Sequence, residues 1–193
     1  MVQVIDQLRC DHRNLRLLLD MAEEETSAWR AGRVTDFDLL RMIAEYTLHY
    51  PDLVHHPKEN FVFERLLIHD PGAKAVIGDL VEEHRRLAEL TRRFAAAIGN
   101  AARDVELPRE WFDSLARQYF LANRLHMQVE EEHFLPRAKA ILTDEDWAAI
   151  DERLAHASDP VFGEKVAEAY LFLHERISKR HETSTLVQKS YSS

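Results

Sequence analysis

His55-His56-Pro57-Lys58-Glu59-Asn60-Phe61-Val62-Phe63 places a glutamate four residues after a histidine, and a phenylalanine four residues after that. The same His-x-x-x-Glu-x-x-x-Phe pattern returns 71 residues later at His126, Glu130 and Phe134. Residues four apart on a helix share one face. Each stretch therefore predicts a helix that turns an imidazole and a carboxylate toward one interior point. Upstream, Asp11-His12-Arg13-Asn14-Leu15 with Leu18 matches Glu83-His84-Arg85-Arg86-Leu87 with Leu90, at an offset of 72. One His-x-x-x-Glu pair is weak support in an acidic chain with eleven histidines. The near-equal offsets of two motifs supply the specificity, and they predict a duplicated helical hairpin.

Working outward, Val4, Ile5, Leu8, Leu15, Leu18, Leu19 and Ala22 recur at helical spacing and predict a first helix over about 2–30. Gly32 suits a left-handed stop after it. Thr35-Asp36-Phe37-Asp38 reads as the cap of a second helix reaching about 68, where Asp70-Pro71-Gly72 ends it. Pro51 and Pro57 lie inside this helix, so a kink or bulge is expected beside His55. A third helix is expected over about 73–98, stopping at Gly99-Asn100, and a fourth from near Pro108 to about 141. Long helices with short connections predict an all-α, up-down-up-down four-helix bundle over residues 1–142.

Residues 143–181 read as a helical extension packed on that bundle. Thr143 with Asp144, Glu145 and Asp146 caps a short helix carrying Trp147, Ile150 and Leu154. A last helix over about 163–179 carries Val166, Tyr170, Leu173 and Ile177, and residues 182–193 form a polar tail.

The formal net charge of −9 argues against nonspecific nucleic-acid binding, which needs a basic surface. The N-terminal residues lack a basic region followed by an apolar stretch, and no run of 18 apolar residues occurs. No membrane span is expected. The single cysteine, Cys10, reads as a buried structural thiol and fits a reducing cytoplasm. Glycine-rich phosphate loops are absent, and no serine stands in a nucleophile pattern.

The candidate metal ligands are His12, His55, His56, Glu59, His84, His126 and Glu130. Bundle cores build two-metal sites from inward carboxylates and histidines on facing helices. His56 is included because a bulge beside it could turn it toward a second ion. Imidazole and carboxylate together suit iron, and also manganese or zinc. If both glutamates bridge, the seven residues supply about nine bonds, and an oxo or hydroxo bridge about two more, against about twelve for two six-coordinate ions. About one position is left for dioxygen, nitric oxide or peroxide.

His55-His56-Pro57-Lys58-Glu59, His126-Met127-Gln128-Val129-Glu130-Glu131 and Phe134-Leu135-Pro136 resemble the signatures of the hemerythrin-like HHE cation-binding family. The resemblance covers about residues 1–140. It implies a four-helix bundle with a non-haem di-iron centre, in a family of oxygen carriers, oxygen or iron sensors and stress-related repair proteins. The carriers have a second histidine in the third helix one turn after the first, where this chain has Ala88, and a His-x-x-x-x-Asp pair where it has His126 and Glu130. These departures argue against reversible oxygen carriage.

His49, seven residues before His56, is expected to orient a ligand, and Tyr119 to be a core tyrosine with a satisfied hydroxyl. Glu131 and Glu132 read as a solvated face, and His69, His133, His156, His174 and His181 as surface or loop residues. The leading expectation is a protein that binds or senses a diatomic ligand or peroxide and passes any signal through a protein partner. The expected associations are a homodimer or an unknown protein partner. The alternatives are a peroxidase- or oxidase-like enzyme and an iron storage or donor protein.

Overall fold

The computed structural model describes residues 2–103, 105–153, 159–163 and 165–180. Among them it is all-α. Helix α1 spans Val2–Arg30, and α2 (Phe37–Tyr50) passes through a π-helical turn, Pro51–His55, into α3 (His56–His69). A short α4 (Ala73–Ile77) precedes α5 (Leu80–Ala101). Helix α6 (Arg109–Val129) passes through a second π turn, Glu130–Phe134, into α7 (Leu135–Ile141), and α8 spans Asp144–Arg153. Helix α1 packs on α2 and α6, and α5 packs on the same two, which closes the four-helix bundle.

The chain divides into two compact units, Met1–His156 and Ala157–Ser193. The first contains the bundle and α8. One end of its core is formed by Leu8, Phe63, Leu66, Leu80, Phe134 and Leu135, with Trp147 and Ile150 of α8. Toward the other end Phe94 stacks on Tyr119, and Trp29 meets Phe112 edge-on. His12 follows Leu8 and precedes Leu15 on α1, so the polar residues form a layer between two apolar ones.

Local chemistry explains the boundaries. Gly32 takes φ 67°, with Gly32 N–H donating to Trp29 C=O and Arg33 N–H to Ala28 C=O, a Schellman stop. The Asp36 carboxylate caps α2 by accepting from Leu39 N–H. The expected bulge at Pro51 and Pro57 is the first π turn, where His56 N–H reaches back to Pro51 C=O. Pro57 has no N–H, and its ring would press on the preceding turn of a regular α-helix. The fourth helix, expected to run unbroken, carries a π turn of its own for the same reason. Leu135 N–H donates to Glu130 C=O just before Pro136.

The third helix does not run unbroken from residue 73. Gly78 at φ 88° ends α4, and Asp79 caps α5 by accepting from Glu82 N–H. It also passes through Gly99 and Asn100 to Ala101. Thr143 and Asp146 cap α8 reciprocally.

In the second unit, the Asp159 carboxylate accepts from the N–H groups of Val161 and Phe162, and Ala167 N–H donates to Pro160 C=O. That turn delays the last helix, expected from about 163. A 3-10 turn, Glu168–Tyr170, leads into helical residues 171–180, where Leu173 and Ile177 are buried. Leu154, His156, His181 and the tail 182–193 lie outside the described residues.

Candidate metal centre

Helices α1, α3, α5 and α6, with the two π turns, carry all seven predicted residues to one buried layer. His12 Nε2 lies 3.3 Å from both Glu59 Oε1 and Glu130 Oε2. His55 Nε2 is 3.2 Å from Glu59 Oε1, and His126 Nε2 is 3.1 Å from Glu130 Oε1. His84 Nε2 is 3.5 Å from an oxygen of each glutamate and 3.1 Å from His126 Nε2. The His56 ring stacks on His84 with centroids 4.0 Å apart.

Two groups of ligand atoms result, each within 4.8 Å of one another: His12, His55, Glu59 and Glu130, and His56, Glu59, His84 and His126. Glu59 belongs to both. Glu130 also reaches the second group through Oε1.

Each imidazole is held from behind. His55 Nδ1 is 3.2 Å from Asp11, His12 Nδ1 3.1 Å from Glu131 and His56 Nδ1 3.0 Å from Asp52. His84 Nδ1 is 2.9 Å from Asn60 Oδ1, and His126 Nδ1 3.5 Å from Glu83. Carboxylates and amide oxygens only accept, so each neutral ring carries its proton on Nδ1 and turns a bare Nε2 inward. At His12, His55, His84 and His126 it meets carboxylate oxygens, lone pair against lone pair. Among the described residues the unpartnered buried side-chain atoms are His12 Nε2, all four Glu59 and Glu130 oxygens, and Trp147 Nε1. Uncompensated, such a layer would be costly, and a cation between the facing lone pairs resolves it. The donor set thus fits metal ions.

Without a metal, protons on the rings take the cation's place. Burial opposes charge on His12, but Glu130 and Glu59 outweigh it and raise its pKa to about 9. Burial is likewise overcome at His55 by Glu59 and Asp11, and at His126 by Glu130 and Glu83, raising both to about 10. His84 is raised by Glu130 and Glu59 against the same burial. Glu59 is held well below the usual carboxylate range, because His55, His12 and His84 overcome its burial. Glu130 is lowered by His126 and His12 against burial and the Glu59 charge. His56 goes the other way, to about 4, since burial and the neighbouring His84 outweigh Asp52.

Other expectations fared unevenly. Tyr119 is a core residue whose hydroxyl donates to Thr47 Oγ1 at 3.1 Å. His49 does not orient a ligand: it is exposed, with Nδ1 on the Glu45 carbonyl of its own helix. Glu131 is not merely solvated, because it joins His12 to Arg16 at 2.9 Å, whereas Glu132 is exposed beside Gln128. His69 contacts Asp146 at 2.8 Å. His133 and His174 are exposed, and Cys10 is half-buried. Asp11, Glu83, Asn60 and Asp52 were given no role by the sequence reading. Three of them carried a signal: Asp11 and Glu83 precede the repeated His12 and His84, and Asn60 follows Glu59 as Glu131 follows Glu130.

No helix among the described residues is long and apolar enough to cross a membrane. Neither a curated protein nor a solved structure matches the chain significantly. The family model described as Hemerythrin HHE cation binding domain matches residues 3–138. A match of that length, over a bundle whose buried histidines and glutamates could hold metal, shows that the chain belongs to the hemerythrin HHE cation-binding domain family.

Proposed function

We propose that this chain is a cytoplasmic di-iron protein that binds or senses dioxygen, nitric oxide or peroxide, with His12, His55, His56, Glu59, His84, His126 and Glu130 as the iron ligands. The observation that carries the reading is the layer of buried, unpartnered Nε2 and carboxylate atoms between two groups of donors. Two carboxylates among five imidazoles suit iron, and the negative charge of the glutamates offsets much of the charge of two divalent ions. Iron held there supplies electrons to a small ligand.

The chain's own residues do the rest. Asp11, Glu131, Asp52, Asn60 and Glu83 fix each ring with Nε2 inward. Leu8, Phe63 and Phe134 on one side, and Tyr119 and Phe94 toward the other, keep bulk water from the layer. One group has two imidazoles and the other three, so the less filled position lies beside His12 and His55.

The test is anaerobic titration with ferrous iron, followed by mixing with oxygen. The expected result is two irons per chain and an oxidised-iron absorption band. Saturation below two irons, or no band, rejects the reading.

A further inference from the structure

The two ligand groups differ in their distance from solvent. Around His12, His55, Glu59 and Glu130 nothing in the inner layer is open, and Asp11 behind His55 is as deeply buried. On that side the one half-exposed acceptor, Glu131, is already bonded to the Arg16 guanidinium. A cation approaching there meets a positive charge.

The three-histidine side is built differently. The side chains of His56, His84 and His126 keep 11%, 6% and 6% of their surface open. The acceptors behind His56 and His126 are somewhat more exposed than Glu131, Asp52 at 33% and Glu83 at 40% against 29%. Among the described residues neither has a lysine or arginine partner. The rings they back gather on one neighbour: His56 and His126 lie 5.8 Å apart, and both contact the His84 ring. Gly78 leaves room there: a Cβ on it would come within 3.1 Å of Glu83 Oε1. Opposite a capped carboxylate stand two uncapped ones, over the only inner ligands in contact with water.

We propose that metal cations enter and leave through the three-histidine side, drawn in by Asp52 and Glu83. The ion held by His56, His84 and His126 exchanges, while the ion held by His12, His55, Glu59 and Glu130 is retained. This rests on the two-ion reading above. A mouth lined by charge of one sign concentrates counter-ions and speeds their capture, typically ~10-fold or more. The retained ion can leave only after the exchangeable one.

Cobalt(II) is a suitable probe, since its visible spectrum follows coordination. Metal-free protein is mixed with cobalt(II) in a stopped-flow instrument, and filled protein is challenged with EDTA. Two ions are expected to bind and then to leave in two phases, one ion in each, at least ~10-fold apart in rate. The variant Asp52→Asn/Glu83→Gln keeps an oxygen acceptor for each ring. It should still bind two ions, but take them up about tenfold more slowly at low salt, with little salt dependence.

Glu45→Gln/Glu89→Gln removes the same charge from acids that face Arg41 and Arg92, and should keep the wild-type rates. His56→Asn should remove the fast phase of release and leave the slow one. Fewer than two ions in the wild-type protein sinks the two-ion reading and this inference together. Two ions bound but released in one phase, an unchanged uptake rate in the Asp52/Glu83 variant, or loss of the slow phase in His56→Asn overturns this inference alone.

Discussion

In the first half of the repeat a π turn ends at His55, and the histidine after it, His56, is buried beside the site. In the second half the π turn begins only at Glu130, and the residue after His126 is Met127. Elsewhere the halves correspond. Asp11 backs His55 as Glu83 backs His126, and Glu131 backs His12 as Asn60 backs His84. Adjacent residues on an α-helix point ~100° apart, and the π turn at Pro51–His55 ends between two consecutive histidines that both reach the site. The comparison teaches that the fold is symmetric while its donor set is not, five imidazoles dividing as two and three.

Glu59 serves both groups, so removing it should erase the difference between the halves by disabling both. Glu59→Gln is expected to reduce metal from two ions per chain to less than one, measured by elemental analysis on protein whose circular dichroism stays helical. Removing the metal itself should come next in size. At a free-metal concentration ~1,000-fold above Kd, each site adds about 4 kcal/mol, and each kcal/mol moves Tm by ~2–4 °C in a chain of this length.

The metal-free protein should show a pH signature in the same melts. His12, His55 and His126 have folded pKa values raised from 6.5 to about 9, 10 and 10. Their contribution to stability is therefore full below pH 6.5 and is lost as pH rises through about 9 to 10. Glu59 and Glu130 are lowered from 4.5, so theirs is present above pH 4.5 and lost in acid. Metal replaces those histidine protons, and the loaded protein should not show the alkaline loss.

Much of this was legible in the sequence, because helical spacing and duplication are both one-dimensional signals. The four bundle helices, the bulge beside Pro57 and the convergence of all seven residues follow from them. What was missed depends on partners across the bundle. Glu131 and Glu132 look alike in sequence, yet Glu131 meets His12 and Arg16 while Glu132 meets only Gln128. His49 stands seven residues before His56, but the intervening π turn shifts the phase, so the spacing no longer means a shared face. Gly78-Asp79 was a stop and a cap read as the interior of one helix.

Three smaller substitutions sharpen the comparison. Asp11→Ala would leave the His55 Nδ1–H buried without an acceptor, and should weaken metal binding about 10- to 100-fold in a competition titration. Glu83→Gln, at the watery rim, should change the same constant by less than that. Gly78→Ala should cost the fold about 1–2 kcal/mol in urea, since a side chain is strained at φ 88° and would meet the Glu83 carboxylate.

The first π turn also bears on the spacing of the repeat. His12 and His55 are separated by one residue more than His84 and His126, and a widened turn is what absorbs a surplus residue in an otherwise regular helix. Deleting Leu53 would let that stretch regularise, rotating everything before it by ~100° relative to α3. Such a one-codon deletion leaves every donor in the chain, yet it would misalign α2 against the rest of the bundle and unseat either His55 or His56.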